Sequence, residues 1–133
     1  MPAKGQRLFV RPIAKTDLAA IADFLGREAP ECAPPAGGLI GKLVGELVAV
    51  AGANTRGDEV ILEMIVVAET LRRKRIGRVL IEALATSEAS QGRRWLVARK
   101  DESTLAFLRR VGFSDRGDSI ARRIESGSEK VGL

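Results

Sequence analysis

The segment Glu59-Val60-Ile61-Leu62-Glu63-Met64-Ile65-Val66-Val67 constrains this chain more than any other. A strand with one wet face alternates apolar and polar residues. This one is apolar on both faces, as a central strand covered from both sides must be. It runs straight into Thr70-Leu71-Arg72-Arg73-Lys74-Arg75-Ile76-Gly77-Arg78. From Ile76 onward, Val79, Leu80, Ala83 and Leu84 keep the i, i+3, i+4 rhythm of an amphipathic helix, and Gly92 reads as its stop. A hidden strand, a basic turn and a one-faced helix predict a sheet with helices packed on it.

The turn puts Arg72, Arg73, Lys74, Arg75 and Arg78 at a helix N-terminus. Unpaired N–H groups and the positive end of the macrodipole favour anions there and disfavour cations. Three readings fit: a solvated helix entrance, a nucleic-acid patch, or a seat for a polyanion such as a pyrophosphate. The strand–turn–helix context favours the last. No Gly-Lys-Ser/Thr and no Gly-x-Gly-x-x-Gly occurs, so neither an NTPase nor a dinucleotide-binding dehydrogenase is indicated. The net charge of +5 attracts anions in general, but aromatic residues make up only 4% and do not interleave with the cations. Nucleic acid is therefore not the expected partner. With no histidine and one cysteine, Cys32, neither a metal site nor an internal disulfide is expected. That cysteine usage, with no secretory-type start and no apolar run long enough for a bilayer, points to a cytoplasmic protein.

A length of 133 residues suits one domain, 1–133, with 126–133 as a loose tail. Leu8 to Arg11 reads as a strand closed by Pro12, and Thr16 and Asp17 open a helix carrying Leu18, Ile21, Ala22 and Leu25 on one face. Gly26 to Gly38, with three prolines, reads as a loop. Leu39 to Leu43 and Leu47 to Ala51 form a hairpin around Val44-Gly45-Glu46, and Ala53 to Asp58 is turn chemistry. After the basic turn and its helix comes the strand Trp95 to Ala98. A helix follows, capped by Asp101, bearing Leu105, Leu108 and Val111 and ended by Gly112, with Phe113 folding back. Asp118 to Glu125 is expected as a last strand at an exposed edge, open to pairing with a second copy. The predicted fold class is α/β with a mixed sheet, in the order β-α-β-β-β-α-β-α-β.

Glu63 interrupts the buried strand, on the side it shares with Ile61, Ile65 and Val67 by strict alternation. A carboxylate there must be paired, open to water in a cleft, or neutralised by a proton. An ion pair with a neighbouring Arg or Lys is one reading; a cleft-lining general base, acting directly or through water, is the other. Glu59, near the strand start, is expected to be solvated. Cys32 reads as an incidental small residue, since no histidine exists to activate it.

In that order of elements, with a basic turn after the fourth strand, the chain resembles the GNAT superfamily of acyl-CoA-dependent N-acyltransferases from Phe9 to about Glu125. The family motif Gln/Arg-x-x-Gly-x-Gly/Ala reads Arg72-Arg73-Lys74-Arg75-Ile76-Gly77 here, with Arg75 in place of the middle glycine. Leu8-Phe9-Val10-Arg11-Pro12 with Asp17 and Leu18, and Phe107 with Gly112-Phe113, resemble the family's opening and closing marks.

The resemblance implies an acetyl-CoA-dependent N-acetyltransferase acting on a small-molecule or peptide amine, with Glu63 as base. Acyl-CoA would lie between the fourth and fifth strands, its pantetheine on the backbone of Ile65 and Val67 and its pyrophosphate on the amides of Arg72 to Arg78. Asp101 stands where the family often has an asparagine on the pantetheine arm. Leu108 stands where it often has a tyrosine acid, and the chain contains no tyrosine. A thiol of pKa ~8.5 is a tolerable leaving group without that acid. With one candidate base, an α-amine of pKa ~8 is easier to deprotonate than a lysine-type amine of ~10.4. A CoA-binding domain without activity, or a basic nucleic-acid-binding module, are the alternatives.

Overall fold

Apolar alternation, turn glycines and helical caps divide the chain into strands and helices, which the computed structural model describes over residues 7–72 and 74–124. The elements are β1 (Leu8–Pro12), α1 (Leu18–Glu28), β2 (Gly38–Leu43), β3 (Glu46–Arg56) and β4 (Glu59–Val67). They continue as α2 (Ile76–Ala89), β5 (Trp95–Arg99), α3 (Glu102–Arg110), β6 (Ser114–Arg116) and β7 (Ser119–Arg123). The strands form one mixed sheet in the order β1-β2-β3-β4-β5-β7-β6. Only β4 and β5 pair in parallel, and α2 makes the crossover between them.

Two apolar layers hold the sheet. On one face Leu80, Ile81 and Leu84 of α2, with Leu108 of α3 and Val111 just after it, pack against Ala49, Val60, Leu62, Leu96 and Ile120. On the other, Ile21, Phe24 and Leu25 of α1 cover Ile40, Val50 and Val66. Each Val, Leu, Ile or Phe among them stabilises the fold by roughly 1.5–3 kcal/mol when fully buried. Two helices end as their glycines require. Gly112 (φ 102) lets the N–H of Phe113 reach the carbonyl of Leu108 at 3.0 Å, and Gly92 (φ 86) lets that of Arg93 reach Glu88 at 3.0 Å.

The structure departs from the sequence-based reading in five places. Strand β3 runs on to Arg56, because the polar run Asn54-Thr55-Arg56 is the exposed end of a strand and only Gly57-Asp58 make the turn. Helix α1 passes through Gly26 to Glu28, so the proline loop begins later. The last strand is a hairpin, β6–β7, which adds one strand to the expected order. Strand β7 sits between β5 and β6 with Ile120 and Ala121 buried; the three-residue β6 takes the edge, so β7 is not free to pair with a second copy. Glu59 is ion-paired with Arg116 of β6 at 2.8 Å. The tail 126–133 lies outside the described residues.

Asp17 opens α1 as its N-cap residue, but its carboxylate makes no bond into the helix and turns back. It accepts two bonds of 2.7 Å from the Arg11 guanidinium and one of 2.7 Å from the N–H of Ala14, tying β1 to the turn before α1. The Arg11 bond first, then the Ala14 N–H, pull its pKa from 3.8 to about 2. A depressed folded-state pKa adds stability that is present above the unfolded value and lost as pH falls through the folded one. Asp17→Asn is therefore expected to lower Tm near neutral pH, and thermal melts should show the gap to wild type closing between about pH 4 and pH 2. A gap that persists unchanged at pH 2 would show that the charge is not the cause.

Candidate active site

Strand β4 carries one residue more than the stretch of β3 it pairs with. Its register with β3 pairs Ala53 with Leu62 but Gly52 with Met64, so Glu63 is an inserted residue, a β-bulge. The packing shows the consequence. Val60 and Leu62 belong to the α2 layer, Met64 and Val66 to the α1 layer, and Ile65 and Val67 again face α2. The strict alternation that grouped Glu63 with Ile65 and Val67 is therefore broken at Glu63 itself. Glycine at position 52 suits the crowding opposite: a Cβ there would sit 2.7 Å from Pro35 and 3.1 Å from the Met64 sulfur.

At the same point the sheet opens. Strands β4 and β5 pair from Glu59–Trp95 to Leu62–Ala98 and part beyond it. The Ala68 N–H donates to Val48 at 2.9 Å, so Val66 and Met64 exchange bonds with β3. By ladder alternation, Ile65 and Val67 turn their N–H and C=O groups toward the vacated β5 side. Arg72 Nε donates to the Val67 carbonyl at 3.2 Å, which leaves the Val67 N–H facing the opening. The resulting cleft of about 1240 Å³ has Glu63 to Val67 as its floor, Arg99 to Thr104 and Phe107 on one side, and Glu28 to Cys32 on the other.

The far end of this cleft is the mouth of α2. Arg75 is the N-cap, at φ 66 and ψ 14, the left-handed conformation a glycine would take without cost. The substitution of the motif's middle glycine therefore preserves the turn and strains it. The first helical bond runs from Val79 N–H to Arg75 O at 3.0 Å. The N–H groups of Ile76, Gly77 and Arg78 precede it and have no intrahelical partner of their own. Gly77 is closely packed: a Cβ would lie 3.1 Å from the Phe107 ring, which α3 lays over the start of α2. Arg72, Arg75 and Arg78 line the cleft, whereas Lys74 is exposed away from it and Arg73 lies outside the described residues. Among the described residues, no carboxylate is within ion-pairing distance of Arg72, Lys74, Arg75 or Arg78. A cationic helix mouth with no ion pair of its own among the described residues is suited to an external polyanion.

Glu63 is exposed into the cleft. Its Oε2 accepts from the side-chain amide of Asn54 on β3, so the bonded partner is an amide and not the Arg or Lys of the ion-pair reading. Asn54 escapes the sequence reading because Ala53 to Asp58 reads as a turn; a strand extended three residues past Ala51 reaches it. Asp101 lines the cleft, but its carboxylate caps α3, accepting from the N–H and hydroxyl of Ser103 at 3.1 and 3.0 Å. Leu108 is 2% exposed and wholly aliphatic, so no acid replaces the family tyrosine there. Burial, then the charges of Glu31 and Asp101, push the Cys32 thiol above its usual pKa, away from a nucleophile's range. Among the described residues no group of carboxylates or thiols converges to hold a metal, and no helix is long and apolar enough to cross a membrane.

The acetyltransferase (GNAT) family profile matches residues 8–113. The chain belongs to this family, which makes it an acetyltransferase. Solved structures share its fold. The ribosomal-protein-S18-alanine N-acetyltransferase from Escherichia coli superposes with a TM-score of 0.75 at 19% identity, over 91% of this chain and 96% of that one. A GNAT-family acetyltransferase from Staphylococcus aureus Mu50 gives 0.75 at 13%, over 90% and 100%. An aminoglycoside 6'-N-acetyltransferase complexed with coenzyme A gives 0.74 at 17%, over 88% and 97%. No curated protein matches the sequence.

The strained N-cap makes a direct prediction. A left-handed non-glycine residue costs about 1–2 kcal/mol, partly offset in a glycine variant by the entropy of its unfolded chain. Arg75→Gly is expected to raise stability by about 0.5–1 kcal/mol in denaturant melts. A loss of stability would mean that the arginine side chain holds the turn.

Proposed function

We propose that this protein moves an acetyl group from acetyl-CoA to a primary amine by direct attack, without a covalent enzyme intermediate. The observation that carries the proposal is the unpaired β4 edge at Ile65 and Val67, which leads into the cationic mouth of α2. An extended pantetheine arm can pair with the main chain of Ile65 and Val67 as a missing strand would. The pyrophosphate then falls to the N–H groups of Ile76 to Arg78 and the guanidinium groups of Arg72, Arg75 and Arg78. Asp101, committed to capping α3, forms part of the wall rather than a hydrogen-bonding arm.

In the reaction, the Val67 N–H polarises the thioester carbonyl, and an amine nitrogen forms a bond to the carbonyl carbon. Glu63 takes the ammonium proton through a water, because only the neutral amine attacks. The carbon–sulfur bond then breaks. With Leu108 at the acid position, the thiolate leaves unassisted and takes its proton from water or from the new ammonium centre, which a thiol pKa of ~8.5 permits. Glu28, Glu31 and Glu63 on the acceptor side suit a substrate that arrives positively charged. The structural relatives act on an alanine of a ribosomal protein and on an aminoglycoside; an amine of either kind is the proposed acceptor class.

Two measurements test the reading. Calorimetry should show acetyl-CoA binding that weakens about fivefold, or ~1 kcal/mol, in Arg75→Gly, and weakens further as salt rises. Thiol release should be followed with spermidine, kanamycin and a peptide with an N-terminal alanine. Glu63→Gln should lower kcat/KM about a hundredfold or more and remove the acid limb of its pH profile. Binding without thiol release from any amine would reduce the protein to a coenzyme A-binding domain. An unchanged pH profile in Glu63→Gln would remove Glu63 from the mechanism.

A further inference from the structure

We infer that Asn54 is a positioning residue for the base, an inference that rests on the assignment of Glu63 just given. The bulge at Glu63 pushes its side chain out of the ladder, where a free glutamate would sample several rotamers in water. Asn54 removes that freedom. It sits on β3 opposite Ile61, two residues before the inserted Glu63, and its amide Nδ2 donates to Glu63 Oε2. Only the NH₂ end of a carboxamide can donate to a carboxylate, so this contact also sets the amide's orientation. Ala53, its neighbour on β3, is buried in the α2 layer; Asn54 therefore points to the other face, where Glu63 must also lie to be reached.

The chemistry favours an amide in this place over an ion pair. A guanidinium would hold the carboxylate equally well but would strongly favour its ionised form and weaken it as a proton acceptor. A neutral donor fixes one oxygen and leaves the other free for the relay water or the incoming ammonium. The other titratable groups around the carboxylate are Glu28, Glu31 and Cys32 on the α1 side and Arg99, Lys100 and Asp101 on the β5 side. Among the described residues none of them bonds to Glu63; Asn54 alone does.

The test is the pH dependence of kcat/KM with acetyl-CoA and the fastest amine among spermidine, kanamycin and the N-terminal alanine peptide. Asn54→Ala removes the donor, and its acid limb should move to higher pH. Activity on the acid limb should fall about threefold to tenfold while activity at pH 9 stays near wild type. Asn54→Asp adds a second carboxylate and should move the limb further in the same direction. Asn54→Gln, with the same amide on a longer stem, should recover part of the loss. Acetyl-CoA affinity by calorimetry should be unchanged in all three, and Asn54→Ala should add nothing in a Glu63→Gln background. If Glu63→Gln abolishes the acid limb but Asn54→Ala leaves it in place, Asn54 does not position the base. If Glu63→Gln itself keeps the wild-type limb, the assignment of the base has failed and this inference falls with it.

Discussion

One inserted residue governs the working half of this fold. The bulge at Glu63 gives β4 one residue more than the stretch of β3 it pairs with, reverses which side chains face α1 and which face α2, and coincides with the point where β4 and β5 part. Parallel strands joined by a helix normally stay paired along their length, since each unpaired N–H or C=O must find another partner. Here the groups of Ile65 and Val67 are left facing a cleft. A bare strand edge inside a protein is a liability unless something lies along it. The cationic mouth of α2 at the end of that edge is a second demand of the same kind: positive charge gathered where the helix dipole opposes it. One extended ligand with a polyanionic end meets both.

The supporting structure keeps that cleft rigid on its helical side. Phe107 of α3 packs on Gly77 at the first turn of α2, and Arg122 of β7 bonds bidentately to Glu82 of α2 at 2.9 Å while also donating to the Val111 carbonyl at 3.2 Å. Helix α2, the end of α3 and β7 are thus fastened together. The same Arg122 holds the Glu82 carboxyl below its usual pKa. On the opposite side the Glu69 N–H, just after β4, donates to Glu28 at the end of α1 at 2.9 Å.

Much of this was legible in the amino-acid order, for definite physical reasons. The two-faced apolar run of β4, the rhythm of α2 and the glycine stops at Gly92 and Gly112 each carry a local signal that packing reinforced. The Asp101 cap could likewise be read because its bond is made two residues away. What escaped was non-local. A bulge depends on the register of two strands, so Glu63 could be recognised as exceptional but not as inserted. Asn54 sat among residues with strong turn preference, and the sheet overrode that preference. The β6–β7 hairpin was missed because three exposed residues, Ser114-Asp115-Arg116, have no apolar pattern to betray them.

The central claim, that acetyl-CoA lies along the unpaired edge of β4 with its diphosphate at the start of α2, is open to amide hydrogen exchange. Exchange should be followed residue by residue with and without the cofactor. Slowing confined to Ile65, Val67 and Ile76 to Arg78 is the predicted result. Slowing elsewhere, with those amides exchanging as fast as in the free protein, would contradict it.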